Sequence, residues 1–199
     1  MESAFYERSV VEVARDLIGC VLSHGSCSGV IVETEAYHDS EPACHAYVGL
    51  TRRTATLFGA PGRAYVYRSY GVHALVNAVC EPEGVGAAVL VRALEPRSGI
   101  ELMAARRGFE DPSAHLCDLC SGPGKLTQAL GVSLADNGVS LRDGPVVISG
   151  RREPYAAELA GDDADAIVAG RRIGITKAVE LPWRFTLAGS RYLSAPVRR

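Results

Sequence analysis

Apolar residues recur at helical spacing near the start of the chain. Val10, Val13, Ala14, Leu17 and Ile18 form one stripe, Ser9 and Glu12 supply a capping box, and Gly19 stops the run, which predicts a structural helix over residues 9–19. The period then changes to two. Residues 29–37 read as a strand, and Ala64-Tyr65-Val66-Tyr67 and Ala74-Leu75-Val76-Asn77-Ala78-Val79 as two more. Between them, Arg68-Ser69-Tyr70-Gly71-Val72-His73 predicts a hairpin with Tyr70 projecting at its tip. A further apolar strand over residues 87–94 is ended by Glu95-Pro96, and Ser98-Gly99-Ile100-Glu101 opens a capped helix to about Gly108, with Arg106 and Arg107 suiting its C-terminal dipole. Residues 125–130 read as a short helix stopped by Gly131, and the remainder as strands and turns. Within it, Asp162-Asp163-Ala164-Asp165 reads as a solvated turn, and Pro182-Trp183-Arg184-Phe185 as an apolar plug with basic edges. Residues 38–57 form a polar loop that is long for a compact domain, and long loops beside charged strands often carry function.

With 199 residues, 47% of them hydrophobic, the chain suits one sizeable core and one domain. The first eight residues lack the apolar stretch of a signal peptide, and no run approaches the roughly 20 apolar residues of a membrane span, so a soluble intracellular protein is expected. Six scattered cysteines in a chain with ample core suggest reduced thiols. A net charge of −2 gives no global argument for nucleic acid, but sign varies by segment. Residues 48–107 hold eight arginines against four glutamates, and residues 171–199 hold seven Lys/Arg against Glu180 alone.

Candidate chemistry centres on Val32-Glu33-Thr34-Glu35-Ala36-Tyr37. A strict alternation puts Ile31, Glu33, Glu35 and Tyr37 on one face and Val30, Val32, Thr34 and Ala36 on the other, giving two carboxylates beside an aromatic wall. Other motifs are weaker. Cys117-Asp118-Leu119-Cys120 has zinc-knuckle spacing but is half a site. Ser121-Gly122-Pro123-Gly124-Lys125 lacks the spacing and the Ser/Thr of a nucleotide-triphosphate loop, yet a glycine turn feeding a helix with a lysine can hold a nucleic-acid phosphate.

Taken together, Glu33-Thr34-Glu35-Ala36-Tyr37, His45-Ala46-Tyr47, Pro61-Gly62, Tyr65-Val66-Tyr67, Tyr70-Gly71, Arg92-Ala93-Leu94-Glu95-Pro96 and Leu119-Cys120-Ser121-Gly122-Pro123 with Lys125-Leu126 resemble the alkyladenine (3-methyladenine) DNA glycosylase family. The resemblance runs from about Ala14 to Tyr192 and keeps the family's motif order. It implies an α+β single domain with a curved, mostly antiparallel, open-barrel-like sheet, flanking helices and a protruding β-hairpin. It also implies a monomer in the cytoplasm, associated with the nucleoid in a bacterium, that excises alkylated or deaminated purines from double-stranded DNA with no cofactor and no catalytic metal. By position, Glu35 resembles the residue that activates water and Arg92 the arginine that helps hold it. Tyr37, His45 and Tyr67 resemble walls around the extruded base, Asn77 a pocket residue that disfavours guanine, and Tyr70 the side chain that fills the vacated place in the duplex. Arg53, Gly122 and Lys125 are candidate phosphate contacts. Two departures concern the loop: the spacing from Tyr37 to His45 is one residue shorter than is common, and Thr54 stands where asparagine is usual.

The chemistry explains why such residues are needed. Extruding a nucleotide costs a few kcal/mol, and each base–aromatic contact returns about 1–3 kcal/mol. Alkylation at N3 or N7 makes the purine cationic, hence a better leaving group and a better partner for aromatic faces, whereas hypoxanthine lacks that charge. An ionised Glu35 can take a proton from water, and the two lysines and absent N-terminal proline argue against a Schiff-base lyase, so an abasic product is expected. Two rival readings fit the same residues: a small-molecule glycoside or nucleoside hydrolase using Glu33 and Glu35 as a pair, and a non-catalytic nucleic-acid binding module. A wedge at Tyr70 has no use in the first, and Glu35 is a liability in the second.

Overall fold

The computed structural model describes residues 1–160 and 166–196, so the acidic segment 162–165 lies outside the described residues. The chain is α+β, with an open antiparallel sheet rather than a closed barrel. The short helix α1 (Ser3–Tyr6) leads into α2 (Val10–Asp16), whose Val10, Val13 and Ala14 are buried. The expected capping box does not form: Ser9 makes no side-chain cap, and the Val10 amide donates instead to the Glu81 carboxylate at 2.9 Å.

Strands β1 (Val21–His24) and β2 (Cys27–His38) form a hairpin, and after the loop come β3 (Ala64–Ser69), β4 (His73–Val79) and β5 (Ala87–Ser98). The long loop carries two short 3₁₀ turns, His45–Val48 and Ala55–Phe58. Helices α3 (Ile100–Arg107) and α4 (Pro123–Leu130) follow, then β6 (Val146–Ser149), a short helix α5 (Tyr155–Glu158), β7 (Ile167–Gly170) and β8 (Arg184–Leu187). The sheet order is β3-β4-β5-β2-β1-β6, with β8 pairing both β2 and β7.

Strand β2 is the spine of this sheet. One edge pairs with β5 along its length, while the other is shared: β1 takes Cys27–Val30 and β8 takes Glu33–Glu35. At the changeover, the register against β5 shifts between Ile31 and Thr34, as a β-bulge does when it bends a strand and re-aims its side chains. The strict alternation therefore fails at Ile31. It joins Ala36 in the main core rather than the glutamate face, while Val32 packs with Ala93 and Tyr192.

Other local expectations are also corrected. Strand β5 runs through Pro96 to Ser98, because Pro96 sits opposite Gly29 beside a register shift where its missing N–H is tolerated. Helix α3 starts at Gly99 with no side-chain cap. Arg106 does not serve its own helix end; it donates to the Ala129 and Leu130 carbonyls at the end of α4, at 3.0 and 2.6 Å, and Arg107 donates to Gln128 at 2.7 Å. Arg184 is not a basic edge but a buried residue, and the neighbouring Phe185 is core as expected. Cys120 is buried and Cys117 half-buried, and among the described residues no group of three His, Cys, Asp or Glu side chains is arranged to hold a metal ion.

Candidate active site

A cavity of about 580 Å³ opens between the β3–β4 hairpin, the long loop, the start of α4 and the segment after β7. That volume falls within the usual range for pockets that enclose a small flat ligand. Tyr37, His45, Tyr67, Asn77, Arg92, Tyr70, Arg53, Gly122 and Lys125 all line it, so the structure gathers nearly every candidate residue at one place.

The aromatic wall is built by register. Tyr65 and Tyr67 are stacked at 5.3 Å, and His45 meets Tyr67 edge-on at 4.6 Å. The His45 Nδ1 lies 3.2 Å from the Tyr65 hydroxyl, which fixes the imidazole on the wall. Burial and the nearby Arg53 both push the His45 pKa below its usual value, so the ring is neutral at neutral pH. The long loop reaches this geometry through local bonds. Thr54 is buried and its hydroxyl donates to the Gly49 carbonyl at 2.9 Å, Asp39 accepts from the Gly86 amide at 2.9 Å, and Glu41 accepts from the Ala43 amide at 2.7 Å. Asn77 holds its amide by donating to the Tyr65 carbonyl at 3.0 Å.

Tyr70 is 93% exposed with φ at 49°, a left-handed conformation that non-glycine residues seldom adopt. It is the apolar projection that the hairpin pattern predicted. Across the cavity, Pro123, Gly124 and Lys125 open helix α4, and Lys125 Nζ lies 3.3 Å from Ser121 Oγ and 3.9 Å from Asp118.

Glu35 departs from expectation. Its side chain has no exposed surface and is not part of the cavity wall. It sits directly behind that wall, because the three donors that reach it among the described residues belong to wall residues. Tyr37 Oη donates to Oε2 at 2.7 Å, Arg92 Nη1 to the same oxygen at 3.0 Å, and the Ile173 backbone N–H to Oε1 at 2.7 Å. Burial raises the pKa of this carboxyl, opposed by the Arg92 charge and the donors of Ile173 and Tyr37. A carboxylate expected to face the cleft is thus closed off by its own donors.

Glu33 occupies a different environment although it is only two residues away. Arg184 Nε reaches its Oε1 at 2.8 Å, Arg92 Nε the same oxygen at 3.2 Å, and Ser194 donates its hydroxyl at 2.8 Å and its amide, to Oε2, at 2.6 Å. Both oxygens are committed and fully buried. The pair Glu33 and Glu35 is therefore not two open carboxylates flanking a cleft, as a small-molecule hydrolase would require. Arg92 bridges the two, which fixes its guanidinium beside the cavity.

Sequence reasoning missed Arg172, Ile173, Arg184, Ser194 and Tyr65. Ile173, Arg184 and Ser194 approach β2 from more than a hundred residues away, and no local pattern marks them. Tyr65 alternates with Tyr67 on β3 and carried a usable signal, as two aromatics on one strand face.

Residues 4–191 match the family model described as methylpurine-DNA glycosylase. The chain is 53% identical to a Rhodopseudomonas palustris protein named "Putative 3-methyladenine DNA glycosylase", covering 98% of this chain and 88% of that one. Identically named proteins of Bradyrhizobium diazoefficiens and Methanoculleus marisnigri are 52% and 53% identical, covering 98% of this chain and 91% and 98% of theirs. With this match over nearly its whole length, the chain belongs to the methylpurine-DNA glycosylase family of DNA repair enzymes.

Proposed function

We propose that this chain acts as a monomer on double-stranded DNA, turns an alkylated or deaminated purine into the cavity, and hydrolyses its N-glycosidic bond with water activated by Glu35, leaving an abasic site. The observation that supports this most is the joint placement of Tyr37, His45 and Tyr67 on the wall, Arg92 beside Glu35, and exposed Tyr70 at the rim. Two aromatic contacts at about 1–3 kcal/mol each offset an extrusion cost of a few kcal/mol, and Tyr70 in the emptied place slows return of the base.

Water reaches Glu35 when one of its donors gives way. Each oxygen accepts from a wall residue, so a solvent molecule entering the cavity takes the place of the Tyr37 hydroxyl or the Ile173 amide. Arg92 then holds that water while the carboxylate accepts its proton. Asn77 faces the base and disfavours normal guanine. Gly122, Lys125 and Arg53 contact phosphates beside the lesion.

The chemistry needs no amine nucleophile, because water suffices once the base leaves from an oxocarbenium-like sugar. The test is to incubate the purified protein with duplexes carrying 3-methyladenine, 7-methylguanine, hypoxanthine or ethenoadenine and to measure free base by chromatography. Base release with an intact abasic strand is expected. No release from any lesion overturns the proposal, and a covalent adduct trapped by borohydride overturns its monofunctional part.

A further inference from the structure

Behind the Tyr37 wall lies an arginine that neither sequence motifs nor the proposed chemistry assign. The Arg172 side chain has no exposed surface, and its guanidinium carbon is 4.7 Å from the Tyr37 ring centroid and 5.4 Å from that of Trp183. Tyr37 lines the cavity and Arg172 does not, so the cation sits on the protein side of the ring. Its Nη1 donates to the Glu41 carboxylate at 2.6 Å and to the Ala36 carbonyl at 2.9 Å, and Nη2 to the Ala178 carbonyl at 3.3 Å. Among the described residues its Nε is buried without a partner. These bonds pin the guanidinium to β2 one residue before Tyr37, and the next residue, Ile173, holds Glu35.

We propose that the Arg172–Glu41 pair is a specificity device: by setting how much positive charge lies against the back of Tyr37, it sets the balance between cationic and neutral damaged purines. A cation on one face of an aromatic ring draws on the same quadrupole that a cationic base would use on the other face. Arg172 thereby weakens stacking of a charged alkylpurine relative to a neutral one, and the Glu41 carboxylate partly restores it. The site is built to admit both classes rather than to favour charge alone. This inference rests on the reading of Tyr37 as a base-stacking wall.

The experiment measures kcat/KM for base release from duplexes carrying either 7-methylguanine or hypoxanthine, and follows the ratio of the two. The double variant Arg172→Gln with Glu41→Gln removes the buried charge pair without stranding either partner. Its cationic-to-neutral ratio is expected to rise about two- to fivefold, the factor that matches a cation–ring contact at the weak end of its range. Glu41→Gln alone leaves the cation unneutralised, and its ratio is expected to fall. The opposite signs separate an electrostatic role from a packing role, which lowers both activities together and leaves the ratio fixed. A wild-type ratio in Glu41→Gln, or in the double variant when it folds, overturns the inference. Absence of base release by the wild type strikes instead at the proposed function.

Discussion

The Tyr37 hydroxyl and the Arg92 guanidinium donate to the same oxygen of Glu35, at 2.7 and 3.0 Å. One wall of the cavity therefore also closes the carboxylate behind it. Tyr37→Phe keeps the aromatic face and removes one of the two donors. Because a donor to the charged form lowers a carboxyl pKa, its loss raises that of Glu35 further. The expected outcome is an acid limb in the kcat–pH profile displaced to higher pH than in the wild type. A displacement to lower pH, or none, contradicts the coupling.

The wild-type profile itself carries a prediction. The proposed mechanism requires ionised Glu35, and burial raises its pKa above the ordinary value of 4.5. Base release thus falls as pH drops through a midpoint above 4.5. Single-turnover rates on a hypoxanthine duplex between pH 4 and 8 read it directly, since hypoxanthine carries no alkyl charge. A rate that is flat down to pH 4 sets Glu35 aside as the base.

Glu33 is expected to matter for folding more than for chemistry. Removing it leaves Arg92 and Arg184 buried without their shared acceptor, a loss of about 3–5 kcal/mol by analogy with broken buried pairs. Denaturant unfolding of Glu33→Ala checks this. A loss below about 1 kcal/mol would show that the network contributes little.

The hairpin tip separates wedge from scaffold. Tyr70 is almost wholly exposed and holds φ at 49°, so Tyr70→Gly relieves backbone strain and keeps or slightly raises stability, by up to about 1 kcal/mol. Base release from duplex DNA is expected to fall about tenfold or more, and release from single strands to change less, because nothing has to be held apart there. An equal fold-change on both substrates, or no change on duplex, removes the wedge role.

Much of this arrangement is legible in the sequence because it is local. Alternation along residues 64–79 gave the β3–β4 hairpin and put Tyr70 at its tip, and motif order marks Tyr37, His45, Tyr67, Asn77 and Arg92, all of which line the cavity. What was not legible is tertiary. The register shift at Ile31–Thr34 arises where β1 gives way to β8 on the edge of β2, and β8 lies some 150 residues downstream. That distant strand brings Arg184 to Glu33, and the segment before it brings Ile173 to Glu35. A strand read alone therefore shows two equivalent open carboxylates, whereas the folded chain makes Glu33 an anchor for Arg92, Arg184 and Ser194 and closes Glu35 behind wall residues. Ser9 does not cap α2 for a related reason: Glu81, from beyond β4, takes the Val10 amide.

The most direct test compares wild type with Glu35→Gln in single turnover on a duplex carrying one hypoxanthine, with binding followed in parallel by fluorescence anisotropy. The substitution is expected to slow base release by about 10²–10⁴-fold, the usual weight of a general base, while DNA affinity stays within a few-fold. Release at the wild-type rate by a folded, DNA-bound Glu35→Gln would contradict the account.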